Sequence, residues 1–197
     1  MTGDGPTKAE LRESILRARR AVPARRRRQE AAALARSLLA TVSAGDVVCA
    51  YVPVGSEPGS LEALDGLTRM GARVLLPVAR ETGGIPQPLG WGEYRPGALV
   101  DARFGLREPA PPTLDAGVIA TASVIVVPAL AVDRAGTRLG RGAGFYDRSL
   151  PLADPAARLI AVVRDDELLA AIPGEAHDVA MTHALTPGLG VVALDGG

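Results

Sequence analysis

The sequence predicts a single α/β domain over residues 1–197, a three-layer sandwich around a mostly parallel, Rossmann-like sheet. Three observations predict it. Short apolar runs recur at 47–52, 73–78, 124–127, 159–163 and 191–194, each bounded by turn residues. These runs are apolar on both faces and helical patterns separate them, which implies a parallel sheet covered on both sides. No repeat or linker divides the chain, and a chain of this size buries roughly 70% of its unfolded surface without staples.

Each element has its own local cause. Thr7-Lys8-Ala9-Glu10 is a capping box, so a helix starts near Lys8, with Leu11, Ile15, Leu16 and Val22 as a narrow apolar stripe. Pro23 suits the first turn of a second helix that runs through the Arg25–Arg28 series to about Val42 and stops near Gly45. These helices, within 1–45, are expected to pack on the sheet. After the first strand, 61–70 reads as a helix begun by Ser60 and closed by Gly71. The stretch 81–117 is rich in Pro and Gly and reads as an excursion over the sheet, with short antiparallel strands around Trp91. A short helix is expected over 165–171, after the fourth strand.

Composition excludes several function classes. The 22 basic and 22 acidic residues give a net charge of zero, which argues against a dedicated nucleic-acid binder. That average is uneven, because residues 1–28 carry nine basic groups against Asp4, Glu10 and Glu13. Arginine supplies all the cations but one, Lys8, a bias that a GC-rich genome explains. The single cysteine, Cys49, sits in an apolar run and excludes a disulfide framework or a multi-cysteine zinc site. No apolar stretch is long enough to span a membrane, and the charged N-terminus lacks a signal-peptide core, so a soluble cytoplasmic chain is expected.

In open α/β sheets ligands bind beyond the carboxyl ends of the strands, here after Val52 and Val127. The second of these segments leads into Arg138-Leu139-Gly140-Arg141-Gly142-Ala143-Gly144-Phe145-Tyr146-Asp147-Arg148. Its alternate glycines let successive N–H groups curl around an anion, and its arginines suit phosphate oxygens. Asp147 offers a hard carboxylate for Mg²⁺, and a helix beginning near Gly144 adds its N-terminal field. The loop is neither a P-loop nor a dinucleotide fingerprint. On spacing alone a plain surface loop explains it equally well. Lys8 and Arg12 leave one face of the first helix, either as a phosphate clamp or as a solvated face. Glu57 either accepts hydrogen bonds from a heterocycle or caps the following helix. His177 and His183 have neither metal-ligand spacing nor a neighbouring nucleophile, and covalent and zinc catalysis lack support. An RNA-binding use of residues 17–28 requires a basic surplus that the acidic remainder cancels.

The segment Val126-Val127-Pro128-Ala129-Leu130-Ala131-Val132-Asp133-Arg134-x-Gly136-x-Arg138-Leu139-Gly140-Arg141-Gly142-x-Gly144-Phe145-Tyr146-Asp147 strongly resembles the signature of the 5-formyltetrahydrofolate cyclo-ligase (5,10-methenyltetrahydrofolate synthetase) family. Lys8-x-x-x-Arg12 and Tyr51-Val52-x-x-x-x-Glu57 match that family's other two motifs in order. The likeness spans almost the whole chain, and the one lysine falls on a motif position.

The resemblance implies ATP- and Mg²⁺-dependent closure of 5-formyltetrahydrofolate to 5,10-methenyltetrahydrofolate. A monomer acting on these two small molecules, with no nucleic acid or membrane partner, is expected. The resemblance also implies ATP contacts from Lys8, Arg12, Arg138, Leu139, Gly140, Arg141, Gly142, Ala143, Gly144, Phe145 and Tyr146. Folate contacts are implied for Val52 and Glu57, and metal binding for Asp147. Arg141 and Tyr146 lie where the two substrates meet and are the implied catalytic pair. A chain that keeps the fold and binds folate or nucleotide with reduced catalysis is the alternative. Phe145 replaces a frequent Tyr, Ala143 replaces a frequent Gly or Lys, and Thr182 stands where many members have a second metal-associated Asp.

Overall fold

A computed structural model describes residues 6–173 and 179–195. His177 lies outside the described residues. Helix α1 (Lys8–Ala21) opens on the expected capping box: Glu10 N–H donates to Thr7 Oγ1 at 3.3 Å, and Thr7 N–H donates to Glu10 Oε2 at 2.8 Å. Helix α2 (Ala24–Leu39) follows Pro23, which stands at its N-cap rather than in its first turn. Helix α3 (Leu61–Arg69) is capped by Ser60 Oγ, and α4 (Phe145–Ser149) is a short helix entered from Gly144.

The sheet has seven strands in the order Gly190–Ala193, His183–Thr186, Arg158–Val162, Val124–Pro128, Val47–Cys49, Arg73–Val78, Gly90–Glu93. The five inner strands are mutually parallel and each edge strand is antiparallel. Alternation along Val124–Pro128 builds both cores. Val124 and Val126 face Leu34, Leu38, Leu64 and Leu67 from α2 and α3. Ile125 and Val127 face Trp91, Ile119, Leu150 and Met181 on the other side. That second cover comes from short 3-10 turns, Ala116–Thr121 and Leu150–Leu152, and from the Trp91 strand. Leu67 is fully buried, and each such leucine contributes about 1.5–3 kcal/mol.

Helix α1 does not join the large sheet. Ile15, Leu11 and Leu16 pack instead on Leu130, Ala131, Leu139 and Ile172. These belong to or adjoin a three-stranded sheet of Arg138–Leu139, Ala131–Asp133 and Leu168–Leu169. The chain that leaves the central strand therefore folds against α1 before it reaches the glycine-rich loop.

Two expected elements differ and one strand is new. The first strand ends at Cys49, because after the bond from Ala50 N–H to Leu75 O the chain turns away through Tyr51 and Val52. Residues 165–171 form a 3-10 turn, Asp165–Glu167, and then the strand Leu168–Leu169, not a helix. Their side chains have distant partners: Asp165 accepts from Thr186 Oγ1 at 2.6 Å, and Glu167 meets Arg19. The strand His183–Thr186 was not anticipated, since its apolar run is only Ala184-Leu185. No helix of the described residues is long and apolar enough to cross a membrane.

Candidate functional site

A cavity of about 450 Å³ opens beyond the carboxyl ends of Val47–Cys49 and Val124–Pro128. Its wall joins three distant segments: Tyr51 to Glu57, Pro128 to Leu130, and the loop from Arg138 to Asp147. The excursion contributes Leu89, Leu106, Arg107 and Glu108. Of the sequence-derived candidates, Val52, Glu57, Arg138, Gly140, Arg141, Gly142, Ala143, Gly144, Phe145, Tyr146 and Asp147 all line this space.

The other three stand behind the wall. Leu139 is 1% exposed and its side chain belongs to the α1 core, so only its backbone is available to a ligand. Arg12 Nε donates to Gly140 O at 2.9 Å, which ties α1 to the back of the glycine-rich loop. Lys8 lies one turn earlier on α1 and is half-buried. The loop needs glycine at two points, Gly142 (φ 95°) and Gly144 (φ 78°), which are left-handed. Ala143 lies between them.

Two ion pairs line the cavity, one across segments and one within the glycine-rich loop. Arg141 Nε is 3.0 Å from Glu57 Oε1, and Glu57 Oε2 accepts from Val54 N–H at 2.9 Å. Glu57 therefore does not cap α3, a task Ser60 performs. Arg138 is ion-paired with Asp147 and its guanidinium lies 5.7 Å from the Tyr146 ring centroid. Arg148 bonds back to Gly144 O at 3.0 Å, in its own turn.

The Tyr146 hydroxyl is buried with no hydrogen-bond partner. Burial raises its pKa well above the usual phenol range, and the Glu57 charge adds to the shift, so it remains an O–H donor. Tyr51 Oη donates to Pro58 O at 2.5 Å, which fixes the Glu57 loop beside it.

The most deeply buried charged residue of the cavity was not among the sequence-derived candidates. Arg19, on α1, is 1% exposed and pairs side-on with Glu167: Nε to Oε1 at 2.7 Å and Nη2 to Oε2 at 2.7 Å. A signal existed, because Arg19 lies four residues after Ile15 and eight after Leu11, on the apolar stripe of α1. By contrast Arg17 pairs with Glu13, Arg26 with Glu30, and Arg25, Arg27 and Arg28 are exposed.

Among the described residues, no three acidic, histidine or cysteine side chains cluster to hold a metal. Asp147 offers a half-exposed carboxylate on the cavity wall, which Glu57, Glu81 and Glu108 also line. That donor set does not form an all-protein cage, but it fits Mg²⁺, which commonly takes one or two carboxylates together with substrate phosphates and water. Thr182 does not add to it. Its hydroxyl accepts from Leu159 N–H at 2.9 Å and donates to Leu159 O at 3.1 Å. Both residues sit at the amino end of the sheet, opposite the cavity.

Residues 4–187 match the model of the 5-formyltetrahydrofolate cyclo-ligase family. The chain is 63% identical over 189 residues to a 5-formyltetrahydrofolate cyclo-ligase of Mycolicibacterium smegmatis, covering 95% of this chain and 97% of that protein. Its fold is that of the 5,10-methenyltetrahydrofolate synthetase of Aquifex aeolicus, with TM-score 0.75 and 23% identity over 96% of this chain and 94% of that one. The Mycoplasma pneumoniae 5,10-methenyltetrahydrofolate synthetase gives TM-score 0.68 and 17% identity over 88% and 94% of the two chains. The chain belongs to the 5-formyltetrahydrofolate cyclo-ligase family.

Proposed function

We propose that this chain closes 5-formyltetrahydrofolate to 5,10-methenyltetrahydrofolate, consuming ATP and releasing ADP and phosphate. Family membership supports the activity. The observation that carries it to particular residues is the cavity where Glu57 and Arg141 meet beside Arg138, Tyr146 and Asp147.

The chemical problem is a formamide oxygen, a poor leaving group. That oxygen attacks the γ-phosphorus of ATP, the bond to the bridging oxygen breaks, and ADP departs. The folate N10 then adds to the activated formyl carbon and loses its proton, and the C–O bond breaks to release phosphate. Both nucleophiles belong to the folate. In agreement, no Ser, Cys or His is among the described residues that line the cavity. The protein's task is to position the reactants and neutralise charge.

In this reading Arg138 and Arg141 oppose phosphoryl charge, and N–H groups from Gly140 to Gly144 add to the same field. The Tyr146 hydroxyl is an uncommitted donor for the oxygen that changes owner. Glu57 accepts from pterin N–H groups, with Val52 as the apolar wall beside it. Arg12 holds the loop and, with Lys8, supplies positive charge to the ATP phosphates. Asp147 would hold Mg²⁺, which supplies charge neutralisation on the β- and γ-phosphates. We take the chain to work as a cytoplasmic monomer, which fits the scattered exposed apolar residues Ile85, Val100, Leu152 and Leu189.

Incubation with ATP and Mg²⁺ should yield ADP only when 5-formyltetrahydrofolate is present. A folded sample that forms no ADP, or forms it regardless of folate, contradicts the proposal.

A further inference from the structure

Arg19 is the most deeply buried cation facing the cavity, and two of its five N–H donors are unused. Nε and Nη2 are fully committed, to the two oxygens of Glu167 and to Ala129 O at 2.7 Å. Nη1 is buried and has no partner. A buried donor on a charged group is costly to leave unmade, so unpaired ones call for an explanation.

The surroundings of Arg19 are built to hold the guanidinium in one orientation. Glu167 is 4% exposed, and its Oε2 also accepts from Arg164 N–H at 2.7 Å. Arg164 in turn pairs with Glu30 of α2 at 2.5 Å. This network fixes one edge of the guanidinium. The other edge holds the unpaired Nη1, and Arg19 lines the cavity together with Tyr51, Val52 and Leu130.

Val52, proposed as the apolar wall of the folate site, lines the same cavity as Arg19. Tyr51 links it to Glu57. Its hydroxyl bonds to the Glu57 loop, and its ionisation is opposed first by burial, then by Glu57 and Tyr146, and eased by Arg19. Pterin chemistry supplies what such a wall needs. A ring edge that gives N–H donors to Glu57 also carries oxygen acceptors, and Arg19 is a buried cation of this cavity with an unpaired donor edge.

We infer that Arg19 is a folate-contacting residue whose Nη1 donates to an oxygen acceptor of the bound substrate, while Glu167 holds the guanidinium in place. The inference rests on the functional reading above and adds a residue outside the three sequence motifs. Glu167 is then a positioning residue acting through Arg19.

Arg19→Lys tests it, since lysine keeps one charge against Glu167 but cannot also present a second donor edge. Equilibrium titrations of 5-formyltetrahydrofolate without ATP, and of ATP without folate, separate the two ligands. The expected result is folate affinity weakened about tenfold or more, the loss of a charge-assisted bond, with ATP affinity changed less than about twofold. Unchanged folate affinity overturns the inference, and so does an equal loss for both ligands. Wild-type protein supplies a second test that does not depend on the variant folding. The ¹⁵Nη resonances of its Arg19 side chain should shift on addition of 5-formyltetrahydrofolate and not of ATP; no shift with folate overturns the inference. Wild-type protein that binds no folate overturns the functional reading along with it, whereas tight wild-type binding matched by Arg19→Lys overturns this inference alone.

Discussion

Arg141 and Glu57 come from loops after two different strands of the sheet and meet with Nε 3.0 Å from Oε1. Each is proposed to serve a different substrate, Arg141 the phosphoryl group and Glu57 the pterin. Together they neutralise each other, so folate and ATP must redirect both. Arg141 is half-exposed, and the pair itself contributes at most about 1 kcal/mol to stability. Glu57→Gln keeps an acceptor for Val54 N–H and removes the charge. It should raise the KM for folate by about tenfold to a hundredfold, with the melting temperature moved only a few degrees. An unchanged KM in steady-state kinetics argues against Glu57 as a folate ligand.

Asp147→Asn separates the metal from the fold. Asp147 is half-exposed and paired with Arg138 on the cavity rim. The variant should lose about a hundredfold or more in kcat and need more Mg²⁺ for half-maximal rate, while its urea midpoint stays close to wild type. A Mg²⁺ titration that superimposes on wild type removes Asp147 from the metal site.

Cys49 ends the strand Val47–Cys49 and is fully buried in the core with Leu75 and Ile125, and burial pushes its thiol pKa up to about 12. The thiolate is the reactive form. Native protein at pH 8 should therefore resist a disulfide-exchange reagent and react completely once urea unfolds it. Rapid modification of the native protein contradicts the burial assigned to this strand.

His183 gives a pH dependence of known sign. Burial, and then the Arg158 charge, lower its pKa below the ordinary 6.5. The folded state thus prefers neutral imidazole, and the unfolded state binds the proton first as pH falls. Its contribution is intact above pH 6.5 and is lost as pH drops from there toward the folded pKa. In urea melts, the stability gap between wild type and His183→Asn should narrow over that window. A gap that is constant with pH contradicts it.

How much was legible follows from where each signal resides. The parallel sheet was readable because Val124, Ile125, Val126 and Val127 leave no polar face. The glycine-rich loop was readable because φ values such as those at Gly142 and Gly144 require glycine, whatever surrounds them. Residues 165–171 were misread because their turn and strand depend on Thr186, Arg19 and Val132, which are distant in sequence. Arg19 escaped notice because an arginine among arginines reads as surface. Only its place on the Leu11–Ile15 stripe distinguishes it. Thr182 stands where many family members have a second metal-associated Asp, and strand register carries it to the end of the sheet opposite the cavity.

The account rests on ring closure of the folate, and the product's absorbance reports that directly. Purified protein mixed with 5-formyltetrahydrofolate, ATP and Mg²⁺ should develop the methenyl chromophore in step with equimolar ADP, and Asp147→Asn should develop almost none. A folded wild-type sample that binds both substrates and forms no chromophore contradicts the central claim.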